Sequence, residues 1–262
     1  MDPDVTDIAK SELTEPQPTR RGPWKFWGTA LWGVAIAAAW IICGALATAL
    51  TLIRLAPPTD FSQDELRAFV FSHDEVLISA IGSGTIGAFA MLALAVWLSR
   101  VSLRDYLGLK LPRPRDLIIG FCGLVLLYVP LAIAGYFFGP LQSSKYMINL
   151  YHSAVTSGRL PLLAAALIVL APVSEEILIR GFLLPGWAAS WLRPGGAIVL
   201  TAALWALLHR QYEVITMVDV FAIGLLLGWI RQRSGSTLAT ILLHATQNAA
   251  ALALVAIFYP PG

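Results

Sequence analysis

Two adjacent carboxylates, Glu175 and Glu176, and an arginine four residues on, Arg180, lie inside an otherwise apolar run from about Leu160 to Trp191. An ionisable side chain at membrane depth costs about 2.5–3.5 kcal/mol even on a lenient insertion scale, so three within six residues mark a functional site. Glu176 and Arg180 stand at i, i+4, share one helix face and can form a charge-assisted pair that lowers the cost of burying both. Glu175 sits about 100° round the same helix, outside that pair, and is left for general-base work on a water molecule. Two of the four histidines, His209 and His244, fall in or at the edge of apolar spans. His244 and Asn248 are again at i, i+4, so both can donate hydrogen bonds to one point, which suits a developing oxyanion. His209, at the end of a different short helix, supplies a second proton-transfer group. The other two histidines, His73 and His152, read as ordinary solvated loop residues.

These residues need elements to hold them, and the composition says of what kind. Hydrophobic residues make up 57% of the 262 and charged residues 13%, about half the share a soluble domain carries. The pattern predicts an all-α polytopic transmembrane helix bundle of about seven (six to eight) spans with a recessed polar site. The spans read as 28–53, 76–99, 117–138, a fourth from Leu160, a short pair at 197–208 and 214–230, and a last at 238–258. Residues 1–27 read as a disordered cytoplasmic tail, 28–150 as N-terminal transmembrane helices and loops, and 151–262 as the catalytic core. Ala45-Leu46-Ala47 resembles a signal-peptidase site, but the apolar run around it is too long and starts too late for a signal peptide. Residues 57–75 carry five acids and read as a surface loop, with a short amphipathic helix near Asp64 to Phe71; the stretch 139–159 reads as a loop able to hide one more crossing. Gly82, Gly84 and Gly87 read as small residues that let helices approach closely in lipid. Cys43 and Cys122 read as packing residues with no disulfide framework.

The regions before the first span, between the second and third, around Arg193 and at Arg231 to Arg233 hold twelve of the 18 lysines and arginines; the alternate regions hold five. That asymmetry predicts a cytoplasmic N-terminus. The net charge of +2 is spread between apolar spans rather than along one face, so the partners expected are membrane lipid and a peptide or protein substrate, with no nucleic acid.

The spacing Glu175-Glu176-x-x-x-Arg180, followed by Trp205-x-x-x-His209 and His244-x-x-x-Asn248, resembles the CAAX protease and bacteriocin-processing family, which includes type II CAAX prenyl endopeptidases. The resemblance covers about residues 160–255. It departs from the family at Trp205, where the second motif usually opens with phenylalanine; Trp205 then stands as an aromatic wall of the substrate pocket. The resemblance implies a glutamate-type intramembrane endopeptidase, in a bacterial inner membrane if the source is bacterial. Glu175 and His209 would activate water, His244 and Asn248 would stabilise the oxyanion, and Glu176 and Arg180 would support the site. The implied substrates are a prenylated C-terminus, a bacteriocin leader or a C-terminal sorting tail.

No cofactor is expected. The alternative is zinc held by His209, His244 and a glutamate, but no His-Glu-x-x-His is present to preorganise two ligands on one helix turn. A proton- or ion-coupled transporter uses the same intramembrane residue types, yet Glu-Glu-x-x-x-Arg has no counterpart in the first half of the chain, as an internal repeat would require. A non-catalytic immunity or scaffold protein that binds a peptide without cutting it is the remaining alternative.

Overall fold

The structure is a computed structural model, and it describes residues 24–56, 62–65, 69, 74–138, 145–210 and 212–260. Of the disordered tail expected at 1–27, residues 1–23 lie outside the described residues, as does His73, while Trp24 to Trp27 are ordered, with α1 beginning at Phe26. Among the described residues every regular element is helical. The helices are α1 (Phe26–Leu55), α2 (Asp74–Leu98), α3 (Leu103–Leu107), α4 (Pro114–Phe138), α5 (Lys145–Thr156), α6 (Leu160–Ala188), α7 (Arg193–Leu208), α8 (Val214–Ser234) and α9 (Thr237–Phe258). Five of them, including α1, α6, α8, α9 and the Ser79–Leu98 part of α2, are long and apolar enough to cross a membrane. α4 has 25 residues, about 37 Å of helix, and α7 is a shorter apolar helix of 16. The all-α polytopic bundle is therefore observed.

Lipid as solvent explains how the first two helices pair. A helix in hydrocarbon gains nothing by hiding leucine from lipid, so α1 and α2 meet where glycine lets backbones approach. A β-carbon on Gly84 would lie 2.8 Å from the Trp40 carbonyl oxygen, and one on Gly44 would lie 3.0 Å from that of Ala80. Gly87 packs on Cys43, the packing role expected of that cysteine; Gly82 faces open space and Cys122 is exposed, so neither does the packing expected of it. At one end of the bundle the Trp24 indole donates to the Ala95 carbonyl at 3.0 Å, and Thr29 Oγ1 donates to the Trp24 carbonyl at 2.6 Å.

The same end carries the 100–115 segment, which is a built connection rather than a loose basic loop. Ser102 caps α3 by accepting from the Asp105 N–H at 3.1 Å. Gly108 ends α3 in the left-handed region at φ +65°, and its carbonyl accepts from the Thr237 N–H at 2.9 Å, joining this loop to the start of α9. Ser236 and Thr237 hydroxyls donate to the carbonyls of Lys110 and Leu107, both at 2.5 Å. α4 begins on Pro114, three residues before the expected span, since proline suits the first turn of a helix. Asp116 in that turn pairs with Arg233 at 3.3 Å.

Three expectations change elsewhere. The stretch 139–159 holds no further crossing among its described residues: α5 has 12 residues, about 18 Å, against a hydrocarbon core of about 30 Å. His152 is no solvated loop residue but lies in α5, with Nε2 2.9 Å from the Tyr259 carbonyl oxygen. The span expected at 214–230 runs on to Ser234, so α8 is long enough to cross and only α7 is short. The expected helix near Asp64 is described only at 63–65 and 69, and Ser62 and Glu65 form a reciprocal cap: Ser62 N donates to Glu65 Oε2 at 2.8 Å and Glu65 N to Ser62 Oγ at 3.3 Å.

Candidate active site

The site is organised by α6, and two prolines decide that helix's shape. A proline in a helix interior offers no N–H, and its ring presses on the carbonyl of residue i−4. α6 contains Pro172 and Pro185, and immediately before each it widens into a π-helical stretch, Ala166–Leu170 and Ile177–Leu183. In the first stretch the Ala171 N–H bonds back to Ala166, and Pro172 has none to give, so the Leu167 carbonyl is left without a partner on its own helix. Asn248 of α9 supplies one: its Nδ2 donates to the Leu167 oxygen at 2.8 Å. Glu175 and Glu176 occupy the α-helical turn between the two widened stretches.

The two glutamates, adjacent in sequence, meet opposite environments. Glu176 and Arg180 are fully buried. Glu176 Oε1 accepts from Arg180 Nη1 at 2.8 Å and from His244 Nδ1 at 3.0 Å. Arg180 Nη2 donates to the Gly224 carbonyl at 3.3 Å, a reach that depends on α7 and α8 lying close: a β-carbon on Gly224 would sit 2.9 Å from that of Ala202. Glu175 keeps 31% of its side chain exposed and His209 keeps 17%, with Glu175 Oε2 and His209 Nε2 3.9 Å apart. His209 Nδ1 lies 2.8 Å from the Trp205 carbonyl oxygen. A carbonyl only accepts, so the proton is on Nδ1, and a neutral imidazole then turns its Nε2 lone pair toward Glu175.

Trp205 joins these groups. It is 2% exposed and its Nε1–H donates to Glu175 Oε2 at 2.6 Å. The Arg180 guanidinium lies 4.5 Å from its ring centre, a cation–π contact, and the rings of His209 and His244 meet it edge-on at 5.3 and 5.1 Å. Glu175 is thus not without a partner, as helix geometry alone suggests. A buried indole N–H usually finds an acceptor, which is the signal that would have suggested a polar partner for Trp205 from sequence.

Glu175, Glu176, Arg180, Trp205, His209 and His244 therefore form one connected set drawn from α6, α7 and α9. Residues 157–250, the segment that contains all of them, match the family described as type II CAAX prenyl endopeptidase, Rce1-like. Part of the chain is also similar to an uncharacterised 24.3 kDa protein of Escherichia coli, 37% identical over 79 residues that make up 29% of this chain. The chain spans 36% of the length of that relative. No solved structure matches the chain.

Two polar residues of the last span stand differently from the rest of the site. Asn248 holds α9 against α6 through Leu167, and its second amide N–H is left over. Gln247 ties α9 to α4, donating to the Tyr128 hydroxyl at 3.1 Å. A zinc site needs three converging donors; among the described residues no three histidine, cysteine, aspartate or glutamate side chains are grouped to hold a metal ion. The carbonyls of Gly224 and Leu167 and the Tyr212 ring, which stacks on His209 with centres 5.6 Å apart, were not anticipated from sequence. The only signals for them were the positions of Gly224 and Pro172 within apolar helices.

Proposed function

We propose that this protein is an intramembrane endopeptidase that hydrolyses a peptide bond of a membrane-associated protein or peptide, with water activated by Glu175 and His209. The observation that carries the reading is the contrast between the glutamates. Glu176 is sealed and doubly engaged, whereas Glu175 is reachable and faces a histidine whose tautomer is set.

A water oxygen about 2.8 Å from each polar atom spans the 3.9 Å between Glu175 Oε2 and His209 Nε2. Its proton passes to this pair as the oxygen bonds to the substrate's carbonyl carbon. The carbonyl oxygen becomes an oxyanion, and collapse breaks the C–N bond while the pair returns a proton to the leaving amine. His244, whose Nδ1 is held on Glu176, can donate to the oxyanion from Nε2 when that nitrogen too carries a proton. Asn248 adds its second N–H. Glu176 and Arg180 keep α6, α7, α8 and α9 in register, and Trp205 fixes Glu175.

The family of residues 157–250 supports a CAAX-type peptidase in general. Within that class we assign the glutamate-type mechanism, a membrane with the basic, Trp24-bearing end in the cytoplasm, and a substrate that is a leader or C-terminal sorting segment of an exported protein. The basic end carries Lys25, Arg100, Arg104, Lys110, Arg113, Arg115, Arg193, Arg231 and Arg233, which favours that orientation.

Membrane proteomes of cells making the wild-type chain or Glu175→Gln test the reading. One precursor should fail to shorten with the variant, although the variant accumulates normally. Unchanged processing by Glu175→Gln would sink the mechanism. Loss of purified activity on chelation with recovery on adding zinc would replace it by a metal-dependent one.

A further inference from the structure

At the end of the bundle away from Trp24, four aromatic side chains form a continuous ladder into the site. The Tyr146 ring of α5 meets that of Tyr212 at 5.8 Å and 65°. Tyr212 stacks on the His209 imidazole at 5.6 Å and 28°, and His209 meets Trp205 at 5.3 Å and 78°. Tyr212 is placed by the turn that follows α7, since its N–H bonds to the His209 carbonyl at 3.0 Å and brings its ring over the imidazole three residues back. The Tyr212 hydroxyl reaches the Met147 sulfur of α5 at 3.6 Å. Burial, with Tyr146 and Glu175 nearby, pushes its pKa up to about 12, so the ring is a neutral phenol at working pH and keeps the proton it gives to sulfur. α5 in turn is bound to α9 by Tyr151 against Leu252 and Val255, and by His152 on the Tyr259 carbonyl.

His209 stands just past the end of α7, where the regular helix no longer fixes a side chain. One hydrogen bond, Nδ1 to the Trp205 carbonyl, sets its tautomer but leaves the ring free to swing about that contact. A flat neighbour stacked on its face removes the swing. We propose that Tyr212 is a positioning residue for His209: its ring holds the imidazole plane with Nε2 toward Glu175, and Tyr146 and Met147 of α5 hold Tyr212. α5 is then part of the catalytic apparatus although it lies outside every motif that carries chemistry. The effect on rate rests on the peptidase reading; the effect on His209 does not.

The test uses the full chain in lipid nanodiscs with ¹⁵N-labelled histidine, the His209 signals being identified from their absence in His209→Gln. Wild type and Tyr212→Phe should both show a single, sharp Nδ1–H imidazole for His209. Tyr212→Leu, which keeps apolar bulk but loses the flat face, should broaden it or mix the tautomers, and should lower kcat about tenfold or more with KM little changed. Tyr146→Leu combined with Met147→Leu, remote from the reacting atoms, should give the same spectral change at smaller amplitude, and serves if Tyr212→Leu does not fold. His209 signals and kcat unaltered in Tyr212→Leu, or Tyr212→Phe as damaging as Tyr212→Leu, would overturn the proposal. Full activity in Glu175→Gln would instead remove the peptidase mechanism, and the spectra would still decide whether Tyr212 positions His209.

Discussion

The α1–α2 hairpin and the α6–α9 core lie in the same bundle and are built on opposite rules. In the most apolar stretch of α1 only 6% of residues are buried within protein, against 28% in α8. The hairpin's closest contacts are made at glycines, and most of its described leucines and isoleucines face outward, although Ile36 and Leu92 are buried. The core encloses a glutamate, an arginine and a histidine. Lipid dissolves a leucine without penalty but not a carboxylate, so polarity, and not hydrophobicity, marks the interior of this protein. A second contrast is nested in the core, between a sealed glutamate that holds helices and a reachable one that faces a histidine.

The sharpest way to break the comparison is to unpair the sealed charges. Glu176→Gln leaves the Arg180 guanidinium buried without its counter-ion, which should cost about 3–5 kcal/mol, and Arg180→Ala should resemble it. Combining Glu176→Gln with Arg180→Met leaves neither charge orphaned and should recover part of the abundance. Thermal unfolding of matched folded samples checks this; a stable, inactive Glu176→Gln beside an unstable Glu175→Gln would reverse the two assignments.

Asn248→Ala tests the boundary between holding and reacting, because Asn248 holds α9 to α6 and is proposed to donate to the oxyanion as well. Loss of an oxyanion donor should lower turnover by about 10²–10³. The unpaired Leu167 carbonyl should also lower stability by about 1–3 kcal/mol, so melting temperature and kcat should fall together while KM stays near its wild-type value. Asn248→Asp, which cannot donate when ionised, should lose both as well. A kcat that survives in either variant would restrict Asn248 to its structural contact.

In the hairpin the same logic predicts a packing effect alone. Gly84→Leu drives a side chain into the Trp40 carbonyl and should cost about 1–3 kcal/mol through splaying of α1 from α2. Activity per folded molecule should be unchanged, and a catalytic defect at constant stability would show that the hairpin shapes the site.

The smallest effect lies outside the membrane. Hydrogen bonds from the Ser62 hydroxyl and N–H hold the Glu65 carboxyl below its ordinary value of 4.5. A carboxyl depressed in the folded state adds stability above its unfolded value and loses it as the pH falls through the folded one. Acidification below about pH 4 should therefore move the Ser62 amide resonance toward its unfolded position, and Glu65→Gln should flatten that titration.

Much of this was legible in the sequence because membrane proteins write their function in exceptions. An ionisable residue in an apolar run is conspicuous, so Glu175, Glu176, Arg180, His209 and His244 were identifiable, and i, i+4 spacing was enough to pair Glu176 with Arg180. An all-helical, multi-pass bundle followed from run length. The Trp205 to Glu175 bond was not legible, since it joins two helices whose rotation no single-helix argument supplies. Asn248 was read from its spacing to His244, whereas its observed partner is created by Pro172 on another helix. α5 was hidden because a short amphipathic helix at a bundle's end has neither the length of a span nor the charge of a site.

The prolines of α6 have one more consequence. Each widened stretch holds an additional residue in its turn, a phase slip of about 100° in the direction a later side chain faces. Between two such slips, residues 171–176 behave as a dial set between two clamped shafts. The first shaft keeps its stripe against α5 and α9, and the second keeps Leu183 and Gly186 against α1. The carboxylates can be aimed by the slips without rotating either end. Single-residue insertions or deletions, ruinous in most transmembrane helices because they turn a whole face from protein to lipid, have two places here where the chain already accommodates that geometry.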